Sequence, residues 1–302
     1  MGKNDKLIRS KSKLGRVEPF DIVLIVIFTG VITITLYPFL NVLAISFNDA
    51  MDTFRGVNFI IPRVFTLANY EYLFNEKNLG RPMIMSIART VIGAVTGVLS
   101  TSMIAYVLSR KDFYFRKLFT VIFVVTMYIS GGMVPEYLLI SRTLKLTNNF
   151  LVYIIPGLIW VYNVILVRSF IEGLPEALQE SARIDGANDF FIWYKIILPL
   201  CKPVLATVTL FVAVGQWNSF MDTYLYARKL ETLQFVLYDI LNNTEINQNS
   251  IHDMDLLQRA TSTTPQSIRM AITVIATIPI VVVYPFVQKY FIGGMTLGAV
   301  KD

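Results

Sequence analysis

Six long apolar segments, separated by polar stretches, dominate the pattern along this 302-residue chain. Each has about the 20 residues that an apolar α-helix needs to cross a hydrocarbon core of about 30 Å. Because backbone groups in lipid must form their hydrogen bonds internally, we predict an all-α, polytopic membrane protein with six transmembrane helices. The segments are 22–45, 90–108, 118–140, 150–167, 204–225 and 271–287.

The ends of these segments give two further expectations. The first segment is too long for the apolar region of a signal peptide, and no small-residue cleavage site follows it, so it should stay attached. Arg89 borders the second segment, where its long side chain is expected to reach the membrane interface.

Basic residues cluster in the N-terminal tail and in the short loop after the second segment. Because loops rich in Lys and Arg stay in the cytoplasm, both termini and the segment 172–203 are predicted to be cytoplasmic. The stretches 46–88 and 226–269 are then predicted to lie on the extracytoplasmic side of the membrane. The chain is divided into a basic tail (1–19), one six-helix transmembrane domain (20–292) and a cytoplasmic C-terminal tail (293–302). The clustered residues are Lys3, Lys6, Arg9, Lys11, Lys13, Arg16, Arg110, Lys111, Arg116 and Lys117.

The composition agrees with a membrane location. Hydrophobic residues make up 54% of the chain and charged residues 16%, compared with about 25% charged residues in soluble domains. The net charge of +6 comes from residues beside apolar segments, so we predict membrane lipid and no nucleic acid as a partner. The single cysteine, Cys201, excludes a disulfide within the chain, and the lone His252 is expected to be solvated rather than to bind a metal.

The most informative polar segment is 176–203, on the predicted cytoplasmic side. Pro175 indicates a helix start, and Gly186 indicates a helix end or a point of close approach. A second short helix is predicted over 189–197, ending before Pro199 because proline cannot continue a helix. Two short helices would therefore project from the membrane. The apolar side of the first is formed by Leu178, Ala182 and Ile184.

The spacing within this segment resembles the EAA loop of permeases from binding-protein-dependent ABC importers. The family pattern places EAA, three residues, Gly, nine residues and Ile-x-Leu-Pro in succession, and every spacing is kept here. Ser181 is the one departure, standing where the pattern has alanine. The resemblance implies a coupling helix that docks into a cleft of a separate ATPase subunit. The residues it assigns to this contact are Glu180, Ser181, Ala182, Asp185, Gly186, Ala187, Ile196, Leu198 and Pro199.

Further stretches resemble the carbohydrate-uptake branch of this family, the maltose-type and multiple-sugar permeases. The resemblance implies the type I ABC importer permease fold and alternating access for an oligosaccharide delivered by an extracytoplasmic sugar-binding protein. It also implies a heterodimer with a second homologous permease subunit, and two ATPase subunits. The stretches are AYVLSRKDF (105–113), SGGMVPEYLL (130–139), IDGA (184–187), GQWNSF (215–220) and KYFIGGMTLGAVKD (289–302).

No phosphate-binding loop of the form GxxxxGK[ST] occurs in the sequence. We therefore predict a transport subunit rather than an enzyme, with ATP and Mg²⁺ on the partner ATPase and no cofactor or metal on this chain. One alternative is a permease of the same fold for a non-sugar solute. The other is an intramembrane enzyme, which the absence of HExxH and nucleophile-elbow motifs disfavours.

Polar and aromatic residues within the apolar segments are candidates for a substrate path, although helix packing is the commoner use of such residues. Sugars need aromatic faces for their C–H sides and amide or hydroxyl groups for their hydroxyls. Trp160 and Tyr162 in the fourth segment are of suitable type. The path candidates are Tyr128, Gly131, Gly132, Glu136, Asn163, Gln216, Trp217 and Asn218, of which Gly131 and Gly132 also suit helix packing and Glu136 also suits contact with the binding protein.

Overall fold

The computed structural model describes residues 19–56, 60–75, 77–250 and 264–299. Within these ranges the chain is mostly helical, and its one pairing of extended segments is an isolated bridge between Asn48 and Phe65. The prediction of an all-α chain is therefore confirmed for the described residues. The N-terminal basic cluster, His252 and the last three residues of the C-terminal tail lie outside them.

Three single helices among the described residues have the length and apolar character to cross a membrane. They are α1 (Pro19–Ser46), α4 (Gly80–Ser109) and the part Pro265–Pro285 of α14 (Pro265–Ala299). The short helices α2 (Ala50–Arg55) and α3 (Ala68–Asn75) connect α1 to α4. Helix α1 contacts α14, while most of its large apolar side chains are exposed.

The third predicted span is bent rather than straight. Helix α5 (Arg116–Tyr128) is followed by α6 (Met133–Leu138), which a π-helical turn (Leu139–Thr143) extends, and the two directions differ by 113°. Gly132 lies at the bend with a φ of 83°, a left-handed conformation that costs glycine no steric penalty because it has no Cβ. The segment is therefore a broken span or a re-entrant loop.

The fourth predicted span, 150–167, does not form one helix. A 3-10 turn (Phe150–Tyr153) precedes an irregular stretch, and α7 (Val161–Glu172) has only 12 residues. Pro156 explains the interruption, because proline has no N–H to donate and disfavours helical geometry at the residue before it.

The fifth predicted span is also divided. Helix α11 (Lys202–Asn218) ends before α12 (Met221–Tyr226), and α13 (Leu233–Ser250) follows. The described residues thus contain three single helices that could cross a membrane, or up to five crossings if each of two bent pairs counts as one. The expected set of six continuous helices is not observed.

The segment between α7 and α11 contains the two short helices that the sequence predicts. They are α8 (Ala177–Ile184) and a second helix formed by α9 (Asp189–Phe191), a π-helical turn (Ile192–Ile197) and α10 (Leu198–Leu200), which meets α11 at 84°. The expectation that the second helix ends before Pro199 is wrong. The π turn already interrupts the regular i to i−4 pairing there, so the missing N–H of Pro199 breaks no regular helical bond.

One buried cluster joins α4, α7 and α11 to these short helices. Val167 on α7, Ile192 after α9 and Val208 on α11 are fully buried within it. Helix α4 approaches α11 closely at Gly93, where an added Cβ would lie 2.8 Å from the Nε2 atom of Gln216. The cluster therefore connects the membrane helices physically to the loop on the predicted cytoplasmic side.

Candidate translocation cavity and coupling loop

A cavity of about 330 Å³ lies where the interrupted helices meet. Helix α4, helix α6, the irregular stretch before α7 and the junction of α11 with α12 form its wall. Two of the predicted path residues, Glu136 and Gln216, line this cavity, as does Trp160. The interruptions that prevent continuous spans therefore create a polar and aromatic space between the helices.

The position of Arg89 contradicts the expectation of a side chain at the membrane interface. The side chain is 2% exposed and forms part of the cavity wall. It donates to Gln216 Oε1 from Nε (3.1 Å) and Nη2 (2.9 Å), and to the Asp222 carboxylate from Nη1 (3.1 Å) and Nη2 (2.5 Å). Nη1 also donates to Ser219 O (3.2 Å), and the guanidinium lies 4.3 Å from the centroid of the Tyr153 ring. These partners satisfy a charge that would be very unfavourable if buried alone.

The hydrogen bonds of Arg89 continue into the 3-10 turn. Gln216 Nε2 donates to Tyr153 O (3.0 Å), and the Tyr153 hydroxyl donates to Leu230 O (2.6 Å). The same hydroxyl lies 3.0 Å from Thr223 Oγ1. Because the Gln216 carbonyl accepts from Arg89 and its amide donates to Tyr153, the orientation of this side chain in the cavity wall is fixed.

Three predicted path residues lie at the bend before the cavity rather than in its lining. Tyr128 ends α5 with 83% of its surface exposed, and Gly131 and Gly132 form the connection to α6. An added Cβ at Gly132 would meet no atom within 4 Å, so close helix packing does not explain this glycine within the chain. The left-handed backbone of Gly132 explains it instead. The bend at this residue is followed by α6, which places Glu136 in the cavity wall.

The remaining path candidates have different surroundings in this chain. The Trp217 indole N–H donates to Ala276 O (2.9 Å), which fastens α11 to α14. Asn163 is buried on α7, and the exposed Asn218 donates to Val214 O (3.0 Å) within its own helix. None of the three lines the cavity.

Sequence reasoning missed Asp222, Tyr153 and Gly93. Asp222 could have been found, because a carboxylate at the end of one apolar segment and an arginine at the edge of another suggest a buried pair. Gly93 had a signal too, since it forms a small-xxx-small pattern with Gly97 that is typical of close helix contact in membranes. Nothing in the local sequence distinguishes Tyr153.

On the other side of the buried cluster, α8 ends in a Schellman motif around Gly186. The Gly186 N–H donates to Arg183 O (3.0 Å), and the Ala187 N–H donates to Ala182 O (2.9 Å). Gly186 has a φ of 80°, which strongly favours glycine. An added Cβ there would meet no atom of this chain within 4 Å, so the glycine serves as a helix end and not as a point of close approach within the subunit.

The two faces of α8 differ in exposure. Ala182 is buried and packs into the cluster shared with α4, α7 and α11. Glu180, Ser181 and Asp185 are exposed, and Ile184 is 87% exposed. The predicted apolar side is thus divided, with Ala182 facing the chain's own core and Ile184 projecting away from it.

The other residues of the predicted coupling set surround this helix. Ala187, Ile196 and Leu198 are partly buried and pack against the same cluster. Pro199 is exposed. The second short helix therefore supports α8 from within the subunit and connects it to α11.

Ion pairs join the loop after α4 to α8 and α9. Arg183 bridges Asp112 (3.0 Å) and Asp189 (2.9 Å), and Arg110 pairs with Asp112 (3.1 Å) and donates to Gln179 Oε1 (2.6 Å). Hydrogen bonds from Arg110 and Arg183 hold the pKa of Asp112 at about 2, below its usual value. The hydrogen bond from Arg183 also lowers the pKa of Asp189. Both carboxyls therefore carry their charge throughout the physiological pH range.

A family model described as the binding-protein-dependent transport system inner membrane component matches residues 97–296. The chain belongs to this family. The matched region contains the predicted coupling loop and most of the cavity wall. A multi-pass membrane component of a binding-protein-dependent transporter is thereby confirmed, as is a permease role without enzymatic activity, since the ATPase of these systems is a separate subunit.

Several relatives are similar to the chain over nearly its whole length. Protein LplC of Bacillus subtilis (strain 168) is 38% identical, covering 96% of this chain and 97% of its own. The polygalacturonan/rhamnogalacturonan transport system permease protein YtcP of the same organism is 36% identical, covering 89% and 93%. The arabinooligosaccharides transport system permease protein AraQ of Halalkalibacterium halodurans is 30% identical, covering 91% and 94%.

A solved structure is similar in fold. One chain in the crystal structure of a bacterial ABC transporter involved in the import of the acidic polysaccharide alginate superposes with a TM-score of 0.80 at 32% sequence identity. The match covers 90% of this chain and 96% of that chain. The fold is therefore that of an ABC importer permease.

Proposed function

We propose that this chain is one of two permease subunits of an ATP-driven importer that carries an oligosaccharide delivered by an extracytoplasmic binding protein. The observation that carries the proposal is the combination of a polar, aromatic cavity with an exposed coupling helix on the far side of one buried cluster. The relatives support the substrate class, because the names of YtcP and AraQ specify polygalacturonan/rhamnogalacturonan and arabinooligosaccharides.

Coupling to ATP hydrolysis is proposed to occur through α8. Ile184 projects from this helix with 87% of its surface exposed, and Glu180 and Asp185 are exposed near it. An apolar side chain flanked by carboxylates suits a cleft on an ATPase subunit that has basic groups at its rim. Displacement of α8 would reach the membrane helices through Ala182 in the buried cluster and through the ion pairs of Arg183.

The assembly that suits this arrangement contains a second homologous permease, two ATPase subunits and the binding protein. ATP and Mg²⁺ would bind to the ATPase subunits. We propose six membrane crossings of the type I importer arrangement, made by α1, α4, the α5–α6 unit, α7, α11 and α14. At 1.5 Å per residue, α7 is about 18 Å long, so the irregular stretch before it must complete that crossing.

Cysteine labelling in intact cells tests the proposed orientation. The native Cys201 is 1% exposed and should give little background. Lys229→Cys, after α12, is expected to react with an impermeant maleimide, whereas Lys111→Cys, in the basic loop after α4, should react only after permeabilisation. The reverse labelling pattern would place the coupling loop on the wrong side for ATP and would refute the proposed mechanism.

Uptake by proteoliposomes tests the function directly. The two permeases, the ATPase and the binding protein would be reconstituted together, and a glycan screen of the binding protein would choose the labelled oligosaccharide. ATP-dependent accumulation that requires this chain supports the proposal. Accumulation of a non-sugar solute instead, or of no solute, contradicts it, and a binding protein that recognises only non-sugar ligands favours a same-fold permease for another solute.

A further inference from the structure

We propose that Glu136 and Trp160 form a subsite in the cavity for the hydroxyl-bearing face of a neutral sugar unit, and that this subsite disfavours sugar units that carry a carboxylate. The inference rests on the proposed function and specifies the substrate class of the same cavity.

Trp160 supplies the apolar part of the subsite. It directly precedes α7 and remains 52% exposed while lining the cavity. Its indole lies against two glycines, because a Cβ added at Gly157 would be 3.7 Å from Nε1 and one added at Gly215 would be 3.9 Å from Cη2. Both glycines lie beside the indole, and its 52% exposure leaves an aromatic surface that suits the C–H side of a sugar ring.

Glu136 supplies the polar part. It lies on α6, directly after the bend at Gly132, and stacking of Tyr137 on Tyr226 (5.6 Å between ring centroids, 21° between planes) fixes α6 against α12. Glu136 is exposed and lines the cavity, and no described residue donates a hydrogen bond to its carboxylate. An ionised carboxylate only accepts hydrogen bonds, so it complements donors such as sugar hydroxyls.

The charges in the cavity disfavour an anionic sugar. Arg89 is the one cation among the described lining residues, and Asp222, Gln216 and Ser219 occupy its donors. Arg89 and Asp222 compensate each other, which leaves the Glu136 carboxylate without a compensating cation among the described lining residues. A substrate carboxylate here would meet a like charge and find no cation to accept it, and such an arrangement selects against anionic ligands.

The test compares two probes that differ only at C6, galactotriose and trigalacturonate. Saturation-transfer NMR would measure their binding to the complete detergent-solubilised importer without its binding protein, so that the cavity alone sets the preference. Wild type is expected to bind galactotriose at least about tenfold more tightly than trigalacturonate, in line with the strength of hydrogen bonds to charged groups. Glu136→Gln should weaken galactotriose binding about tenfold and strengthen trigalacturonate binding.

Matched variants identify the cause. Glu231→Gln removes an exposed carboxylate outside this cavity and should change neither affinity. Trp160→Ala should abolish galactotriose binding, whereas Trp160→Phe should retain most of it.

Tighter binding of trigalacturonate by wild type, or unchanged binding in Glu136→Gln, overturns the subsite. If neither probe binds while the importer still accumulates an oligosaccharide with its binding protein, the subsite is overturned and the proposed function stands. If the complete importer accumulates no sugar, the proposed function itself fails.

Discussion

Replacement of Arg89 by methionine tests whether the cavity wall depends on a buried charge network. The substitution keeps much of the side-chain volume and removes five hydrogen bonds, two to Gln216, two to Asp222 and one to Ser219. Removing one partner of a buried ion pair leaves the other charge uncompensated and typically costs about 3–5 kcal/mol. At about 2–4 °C per kcal/mol for a chain of this size class, the unfolding temperature should fall by about 10 °C.

The assay is thermal unfolding of the purified importer in detergent, combined with sugar uptake. Arg81→Met is the matched control, since Arg81 is an exposed arginine near the start of the same helix and its loss should change the unfolding temperature by less than about 2 °C. Arg89→Met combined with Asp222→Asn should recover part of the loss, because the uncompensated charge is then removed as well. Strictly additive losses in the double variant, or an Arg89→Met protein as stable as Arg81→Met, would show that the cavity wall does not depend on this buried charge network.

Three further predictions address other parts of the structure. Gly93→Ala should destabilise the importer by about 1–3 kcal/mol, because the added Cβ would lie 2.8 Å from Gln216 Nε2. The control Gly30→Ala on α1 places its Cβ within 4 Å of no atom and should leave thermal unfolding unchanged. Equal effects of the two variants would contradict close packing of α4 on α11. Gly186→Leu should cost about 1–2 kcal/mol of local strain at a φ of 80° and reduce the ATP hydrolysis that the binding protein stimulates. Gly186→Asn should retain most of this hydrolysis, because asparagine tolerates the positive φ better. Equal activity of the two variants would contradict the role of the helix end. The pKa of Asp112 is lowered to about 2, so its ion pairs stabilise the protein above pH about 4 and are lost only as the pH falls towards 2. The stability difference between wild type and Asp112→Asn should therefore stay constant from pH 7 to 5. A difference that shrinks across this range would contradict the lowered pKa.

The sequence predicted the helical membrane class and the two short helices of the predicted coupling loop because both depend on local patterns. Apolar runs of suitable length predicted α1, α4 and α14, and the position of Gly186 predicted the end of α8. The interruptions of the third and fourth spans were harder to predict from the sequence, because apolar runs do not reveal where a helix bends. Pro156 and Gly132 mark the two interruptions, but proline and glycine also occur within continuous membrane helices, as Pro279 does in α14.

The candidate cavity was only partly predictable for a related reason. Glu136 and Gln216 were predicted as polar residues in apolar surroundings, and both line the cavity. Trp217 and Asn218 have equally suitable chemistry but do not line it, because the orientation of a residue on α11 is decided by how the helices pack. Arg89 was expected at the interface, and only the approach of Asp222 from a segment 133 residues later in the chain explains its burial.

Whether α8 is the coupling helix is tested most directly by retention of the ATPase subunit on the purified permease pair when α8 carries Ile184→Asp. The control is Ile61→Asp, which alters an isoleucine that is 77% exposed before α3, on the predicted outer side. If α8 docks into the ATPase, Ile184→Asp should lose most of the bound ATPase and the ATP hydrolysis stimulated by sugar-loaded binding protein, while Ile61→Asp retains the ATPase at the wild-type level. Wild-type retention and stimulation in Ile184→Asp would contradict the assignment of α8 as the coupling helix.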